Sequence, residues 1–220
     1  MTLRHILWRL REEFYPEKHP YDLLMGCDTS GMVHWRRLGP EATDYQAVDP
    51  DVFRATMAHI AGQPGEDLSR FTFVDLGCGK GRALLLAEEY EFKKIVGVDF
   101  AKRLAKIASR NAAFVESQRI TVSHGDVRDF DFPPGPLVVF LYNPFSDRIT
   151  RGVMQRLNSH PDTVYTAYVN PLHAETVSSQ PEAEIVAKDD WCTIWRFRRS
   201  VTADSAQPTV TISAASGSRQ

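Results

Sequence analysis

Phe71-Thr72-Phe73-Val74-Asp75-Leu76-Gly77-Cys78-Gly79-Lys80-Gly81-Arg82-Ala83-Leu84-Leu85-Leu86-Ala87 reads as a buried strand, a glycine turn and a helix start. Phe71, Phe73, Val74 and Leu76 make a short apolar, β-rich run that suits a strand covered on both faces. Glycines at 77, 79 and 81 end it; lacking a Cβ, they adopt backbone angles closed to other residues and let a flat ligand lie against the main chain. Residues 83–87 favour helix, so the unpaired amides of a new helix face the turn with partial positive charge. An anionic group belongs there. The competing reading is a glycine-rich turn that holds no ligand.

The glycine spacing narrows the ligand. A dinucleotide fingerprint needs Gly-x-Gly-x-x-Gly/Ala, but the last position falls on Arg82 when counted from Gly77 and on Leu84 when counted from Gly79. The pattern present, Asp75-x-Gly77-x-Gly79-x-Gly81, resembles motif I of the class I S-adenosylmethionine-dependent methyltransferases. That resemblance implies S-adenosylmethionine as cofactor, with Asp75, Gly77, Cys78, Gly79 and Gly81 around it.

A second strand, Lys94-Ile95-Val96-Gly97-Val98-Asp99, closes on a carboxylate ahead of Phe100, and residues 101–117 read as an amphipathic helix. An acid roughly twenty residues past a glycine turn is placed to accept two ribose hydroxyls; the alternative is that Asp99 only caps the next helix. A third strand, Arg119 through His124, runs into Gly125-Asp126-Val127. In the resembling family the acid here accepts from the adenine amino group and its neighbour packs on the ring, which implies Asp126, Val127 and Phe100 as further cofactor contacts. His124 reads as a strand end, having no neighbour that would orient a working imidazole.

The fourth strand, Leu137 through Tyr142, delivers Asn143-Pro144-Phe145 to the carboxyl edge of the sheet, where open α/β folds bind ligands. This resembles motif IV of the amino-group methyltransferases with one proline missing, and implies that Asn143 and Phe145 position a nitrogen nucleophile. A plain Asx-Pro turn is the other reading. Helix 147–158, strand 164–169, the segment 171–179 and an antiparallel hairpin of 183–188 with 191–198 complete the pattern.

Across residues 20–199 the chain looks like a bacterial group of small methyltransferases similar to the non-SET histone-lysine methyltransferases. The resemblance implies a Rossmann-like α/β fold, a seven-stranded, mostly parallel sheet in the order 3-2-1-4-5-7-6 with helices on both faces. It extends to Gly26-Cys27-Asp28-Thr29-Ser30-Gly31, like the segment ahead of the core in that group, and suggests a lid in which Asp28, Thr29 and Tyr45 close on the cofactor or substrate. A purely structural cap is equally open. Thr29 is accordingly expected on the cofactor and Tyr45 at the catalytic centre, with Glu41 and Asp44 as possible proton acceptors.

Three regions follow: a helical cap or lid over 1–66, a cofactor-binding core over 67–199 and a disordered tail over 200–220. Residues 1–15 read as an amphipathic helix that docks on the core or pairs two copies, so a monomer or homodimer is expected. The 220 residues, 43% of them hydrophobic, suffice for one sizeable core. A net charge of −2 lacks the basic stripe of an extended nucleic-acid footprint, so no nucleic-acid partner is expected and the acceptor is read as a protein lysine or a small-molecule amine. Three scattered cysteines suit reduced thiols in a cytoplasm; they offer no metal-ligand spacing, and no segment spans a membrane. A protein that binds the cofactor without transferring its methyl group is the alternative function.

Overall fold

The computed structural model describes residues 18–37 and 43–198. Seven strands, β1 (Thr72–Leu76), β2 (Lys94–Asp99), β3 (Ile120–His124), β4 (Leu137–Tyr142), β5 (Val164–Val169), β6 (Ala183–Lys188) and β7 (Cys192–Phe197), form one sheet. Their order is β3-β2-β1-β4-β5-β7-β6, the one the family resemblance implies. β1 to β5 pair in parallel, and β7 runs antiparallel to both β5 and β6.

Parallel neighbours need crossovers. The α-helices among the described residues are α1 (Pro20–Met25), α2 (Pro50–Ala61), α3 (Arg82–Ala87), α4 (Lys102–Phe114), α5 (Asp147–Asn158) and α6 (Ala174–Ser178). Several elements are shorter than the sequence suggests, among them the last strand, expected over 191–198 and observed over Cys192–Phe197. The helix expected over 101–117 stops at Phe114 because the chain turns left-handed at Glu116 (φ 54°). The segment 171–179 is helical only from Ala174, and the strand expected from Arg119 begins at Ile120. The expected helix over 1–15, Glu41 and the tail over 200–220 lie outside the described residues.

Alternation along the strands divides the core in two. Phe73, Phe140 and Tyr165 face one side of the sheet, where α2 lays Phe53, Met57 and Ile60 on them; Phe53 meets Phe140 at 5.3 Å and Phe73 at 5.8 Å between ring centroids. Val74, Leu76, Val139 and Leu141 face the other, against Ile149, Val153, Met154 and Leu157 of α5. Asp49 caps α2 by accepting from the amides of Asp51 and Val52. No helix among the described residues is long and apolar enough to cross a membrane.

Helix α1 is fastened to α3 by a buried ion pair. Arg82, the first residue of α3, and Asp22 in α1 are 1% and 0% exposed in their side chains and approach to 3.4 Å. Arg82 also donates to Thr29 Oγ1 (2.7 Å) and Ser30 Oγ (3.1 Å). Asp22 accepts from the amides of Thr29 (2.7 Å) and Ser30 (2.6 Å), and from the Thr29 hydroxyl. Burial alone would raise the Asp22 carboxyl, but the hydrogen bonds from Thr29 and Ser30, with Arg82, outweigh it and hold it below the usual carboxylate range. The pair thus contributes stability above the ordinary aspartate value, and that contribution is lost as the pH falls through the lower native value. Asp22→Ala strands a buried guanidinium and is expected to cost about 3–5 kcal/mol in urea unfolding. The advantage of the wild type over this variant should shrink below about pH 4.

Candidate active site

A cavity of about 420 Å³ opens at the carboxyl ends of the strands, beside the β1–β4 junction where the strand order reverses. Gly77, Asp99, Asp126, Asn143 and Phe145 line it, from the carboxyl ends of four strands, with Asn143 and Phe145 sharing the turn after β4. Tyr45 and Gln46 line it too, from a strap over residues 43–46.

The glycine turn is left-handed at 77, 79 and 81 (φ 79°, 54° and 87°). Its glycines make room for other parts of the protein. A Cβ on Gly77 would stand 2.6 Å from Pro144 Cβ, one on Gly81 would stand 3.1 Å from Ala108 Cβ, and one on Gly79 would run into the Tyr45 ring. β2 holds the turn from below: Val98 O accepts from the amides of Gly77 (2.9 Å) and Cys78 (3.1 Å).

Asp99 serves two purposes. Its Oδ2 accepts from Gly79 N–H and its Oδ1 from Ala101 N–H, both at 2.8 Å, so it steadies the turn and the entry to α4 while also lining the cavity. Each oxygen keeps a lone pair for a further donor. Burial raises its carboxyl above the usual range, opposed by those two amides. Asp75 and Cys78, expected on the cofactor, sit buried behind the turn and are not among the cavity residues. Burial, then the charge of Asp99, pushes the Asp75 carboxyl well up.

Phe100, 45% exposed, and Val127 flank the same end of the cavity as Asp126. Arg128 grips Asp126 through Nε (3.0 Å) and Nη2 (2.6 Å), and these bonds hold its carboxyl below the usual range. His124 lies at the strand end, its Nε2 3.1 Å from Phe100 O.

At the opposite end Asn143 takes the left-handed conformation (φ 44°) as the chain leaves β4. Its Oδ1 accepts from Tyr168 Oη (3.1 Å) and its carbonyl from Thr43 Oγ1 (3.1 Å). Asn170, absent from the sequence-based set, stands beside it: Tyr142 and Val169 are register partners, and the next residue on each strand is an asparagine with positive φ, 50° at Asn170. The repeated Asn-Pro at 143–144 and 170–171 was the available signal.

The expected lid residues separate. Tyr45 spans the strap, pairing both ways with Val33 (3.1 and 2.9 Å) and donating its hydroxyl to Thr29 O (2.7 Å). Thr29, expected on the cofactor, is fully buried with its hydroxyl on Asp22 and Arg82, and Asp28 is bound to Lys80 Nζ (2.9 Å) and Asn111. Neither lines the cavity. Gln46, which no sequence pattern marks, keeps Nε2 buried without a hydrogen-bond partner among the described residues. A buried donor left so costs about 1–3 kcal/mol, and a ligand oxygen is what relieves it.

Residues 73–159 match the family model described as a methyltransferase domain. That stretch is about two fifths of the chain, and over it the sequence is similar to a methyltransferase domain. No curated protein sequence matches it. Among solved structures it is similar to the PH0226 protein of Pyrococcus horikoshii OT3 (TM-score 0.54, 16% identity, 77% of this chain and 100% of that one). It is similar also to an RNA methyltransferase of Salinibacter ruber in complex with S-adenosyl-L-homocysteine (0.52, 17%, 72% and 98%). A third likeness is to a protein of Listeria monocytogenes described as a predicted N6-adenine-specific DNA methylase (0.52, 16%, 69% and 51%), of which this chain spans about half the length.

These likenesses correct one expectation. A net charge of −2 was read as excluding a nucleic-acid partner, yet the structures sharing the fold include RNA and DNA methyltransferases. Whole-chain charge measures an extended footprint; a methyltransferase domain that takes up one base needs only local contacts.

The turn makes a mechanical prediction. Gly79→Ala imposes a strained left-handed residue, roughly 1–2 kcal/mol, and a collision with Tyr45. In thermal unfolding its loss should be smaller in a Tyr45→Ala background than in the wild type, because the collision is gone.

Proposed function

We propose that this chain moves the methyl group of S-adenosylmethionine to a nitrogen nucleophile held at the Asn143-Pro144-Phe145 edge. The observation that carries the reading is that Asn143, left-handed at the end of β4, lines the same cavity as Gly77 and Asp99. The cofactor supplies an electrophilic methyl on a sulfonium. In this reading Asp99 accepts from the ribose hydroxyls through the lone pairs its amide donors leave free, and Phe100 and Val127 pack on the adenine. Asp126, kept ionised by Arg128, accepts from the adenine amino group. The unpartnered Gln46 amide donates at the strap.

At the acceptor end Tyr168 sets the orientation of the Asn143 amide. Burial pushes the Tyr168 phenol to about 12, so it remains a donor through the neutral range. The second lone pair of Asn143 Oδ1 is then free to accept an N–H of the nucleophile, directing its lone pair at the methyl while Phe145 walls one side. Such alignment supplies roughly 7–11 kcal/mol of a barrier when the geometry is good.

Residues 67–199 are the cofactor-binding core in this reading and 1–66 the cap upon it. Cys27, Cys78 and Cys192 are all buried free thiols, which suits a reducing cytoplasm.

Two variants separate the ends of the site. Asp99→Ala should weaken S-adenosylhomocysteine binding about tenfold or more in calorimetry, as loss of hydrogen bonds to a charged group does. Asn143→Ala should leave that affinity within about twofold and lower the turnover of radiolabelled methyl about a hundredfold. An Asn143→Ala enzyme with normal turnover would move the acceptor elsewhere.

A further inference from the structure

We propose that the acceptor is an amino-bearing nucleobase of a single-stranded nucleic acid, and that Asn170 is a second residue that positions it. The inference rests on the nitrogen reading above and narrows it.

Asn143 and Asn170 sit side by side at the ends of β4 and β5, both left-handed, both followed by proline and both lining the cavity. Asparagine is among the few non-glycine residues that tolerate this conformation. The Asn170 backbone is tied down, its N–H donating to Trp191 O at 2.7 Å, whereas its side-chain amide has no hydrogen-bond partner among the described residues. A primary amide presents a donor and an acceptor together, which matches an exocyclic amine beside a ring nitrogen, the edge shared by adenine and cytosine. A lysine offers donors only and must first lose a proton of pKa about 10.4, while a base amine is already neutral at pH 7.

One hydrogen bond away from a cavity residue lies a second feature. His34, Trp35 and Arg36 are exposed, with the Arg36 guanidinium 5.5 Å from the Trp35 ring centroid and the His34 ring at 5.6 Å. This cluster is joined to the site: Trp35 N–H donates to Asp44 Oδ1 at 2.8 Å, and Asp44 lines the cavity beside Thr43, which holds the Asn143 carbonyl. An exposed indole with a cation over it is a stacking platform for a base neighbouring the one taken in. The net charge of −2 limits the contact to few phosphates, which fits a short single-stranded element better than a long duplex.

The test follows tritiated methyl from S-adenosylmethionine into mixed-sequence RNA transcripts, mixed-sequence single-stranded DNA and poly-L-lysine, with labelled nucleosides identified by mass spectrometry. The expected product is an N-methylated adenine or cytosine, and the two nucleic-acid arms tell RNA from DNA. Asn170→Ala and Asn170→Asp should each lower kcat/KM at least tenfold with S-adenosylhomocysteine affinity unchanged. Trp35→Ala should raise KM with kcat preserved. Label in poly-L-lysine overturns the nucleobase while sparing the nitrogen reading, and an Asn170→Ala enzyme with wild-type kcat/KM overturns the role of Asn170. If no probe is labelled although S-adenosylhomocysteine binds, the nucleobase is overturned. Failure to bind S-adenosylhomocysteine overturns the cofactor reading beneath both.

Discussion

Three left-handed glycines, each pressed against a different element, are the constraint on which the rest of the site depends. Gly77 admits Pro144 of the acceptor edge, Gly79 admits the Tyr45 ring of the strap, and Gly81 admits Ala108 of α4. A methyl group at any of them collides with what it touches or crowds it, so the glycine turn works as a hub as well as a cradle. In the proposed reading, the close packing of Gly77 on Pro144 sets the acceptor edge relative to the cofactor turn. A methyl transfer between two bound molecules needs that kind of fixed spacing.

Much of this was legible in the chain because the signals are local. Strand runs such as Leu137 to Tyr142 announce themselves by composition, and the glycine spacing, Asp99 and the Asn143 edge each lie within a few residues of a strand end. The strand order followed from the family resemblance and is the one observed. What was not legible depends on partners distant in sequence. Thr29 looked ligand-facing because the segment from Gly26 to Gly31 resembles the one ahead of the core in the family; it is instead bound by Arg82, 53 residues away, and nothing local reports that pairing. Gln46 becomes notable only once its amide is seen buried without a partner. Asn170 was readable in principle, since it repeats the Asn-Pro step of Asn143, but its meaning needs the β4–β5 register.

The electrostatics show a similar contrast between totals and positions. A near-neutral chain concealed an exposed cationic aromatic cluster, Arg36 over Trp35, one hydrogen bond from Asp44 of the cavity. Asp75 and Asp99 are both carboxylates near the turn, yet one is sealed behind it while the other keeps lone pairs toward the cavity. Asp99 also shows that capping a helix entry and lining a ligand site are compatible in one side chain, because its two oxygens divide the work.

The buried Arg82–Asp22 pair has a consequence for traffic through the site. Because it ties the segment around Thr29 to the base of α3, that segment opens only at the energetic cost of core unfolding. The strap over residues 43–46 shows no buried ion pair among the described residues; its bonds include the bridge to Val33, the Trp35 bond to Asp44, the Thr43 bond to Asn143 and the Tyr45 bond to Thr29. In the proposed reading, exchange of spent for fresh cofactor would run beneath the strap. Since Thr43 rests on the acceptor edge and Tyr45 on the glycine turn, one fluctuation uncovers both ends together, which couples departure of the methylated product to departure of the demethylated donor.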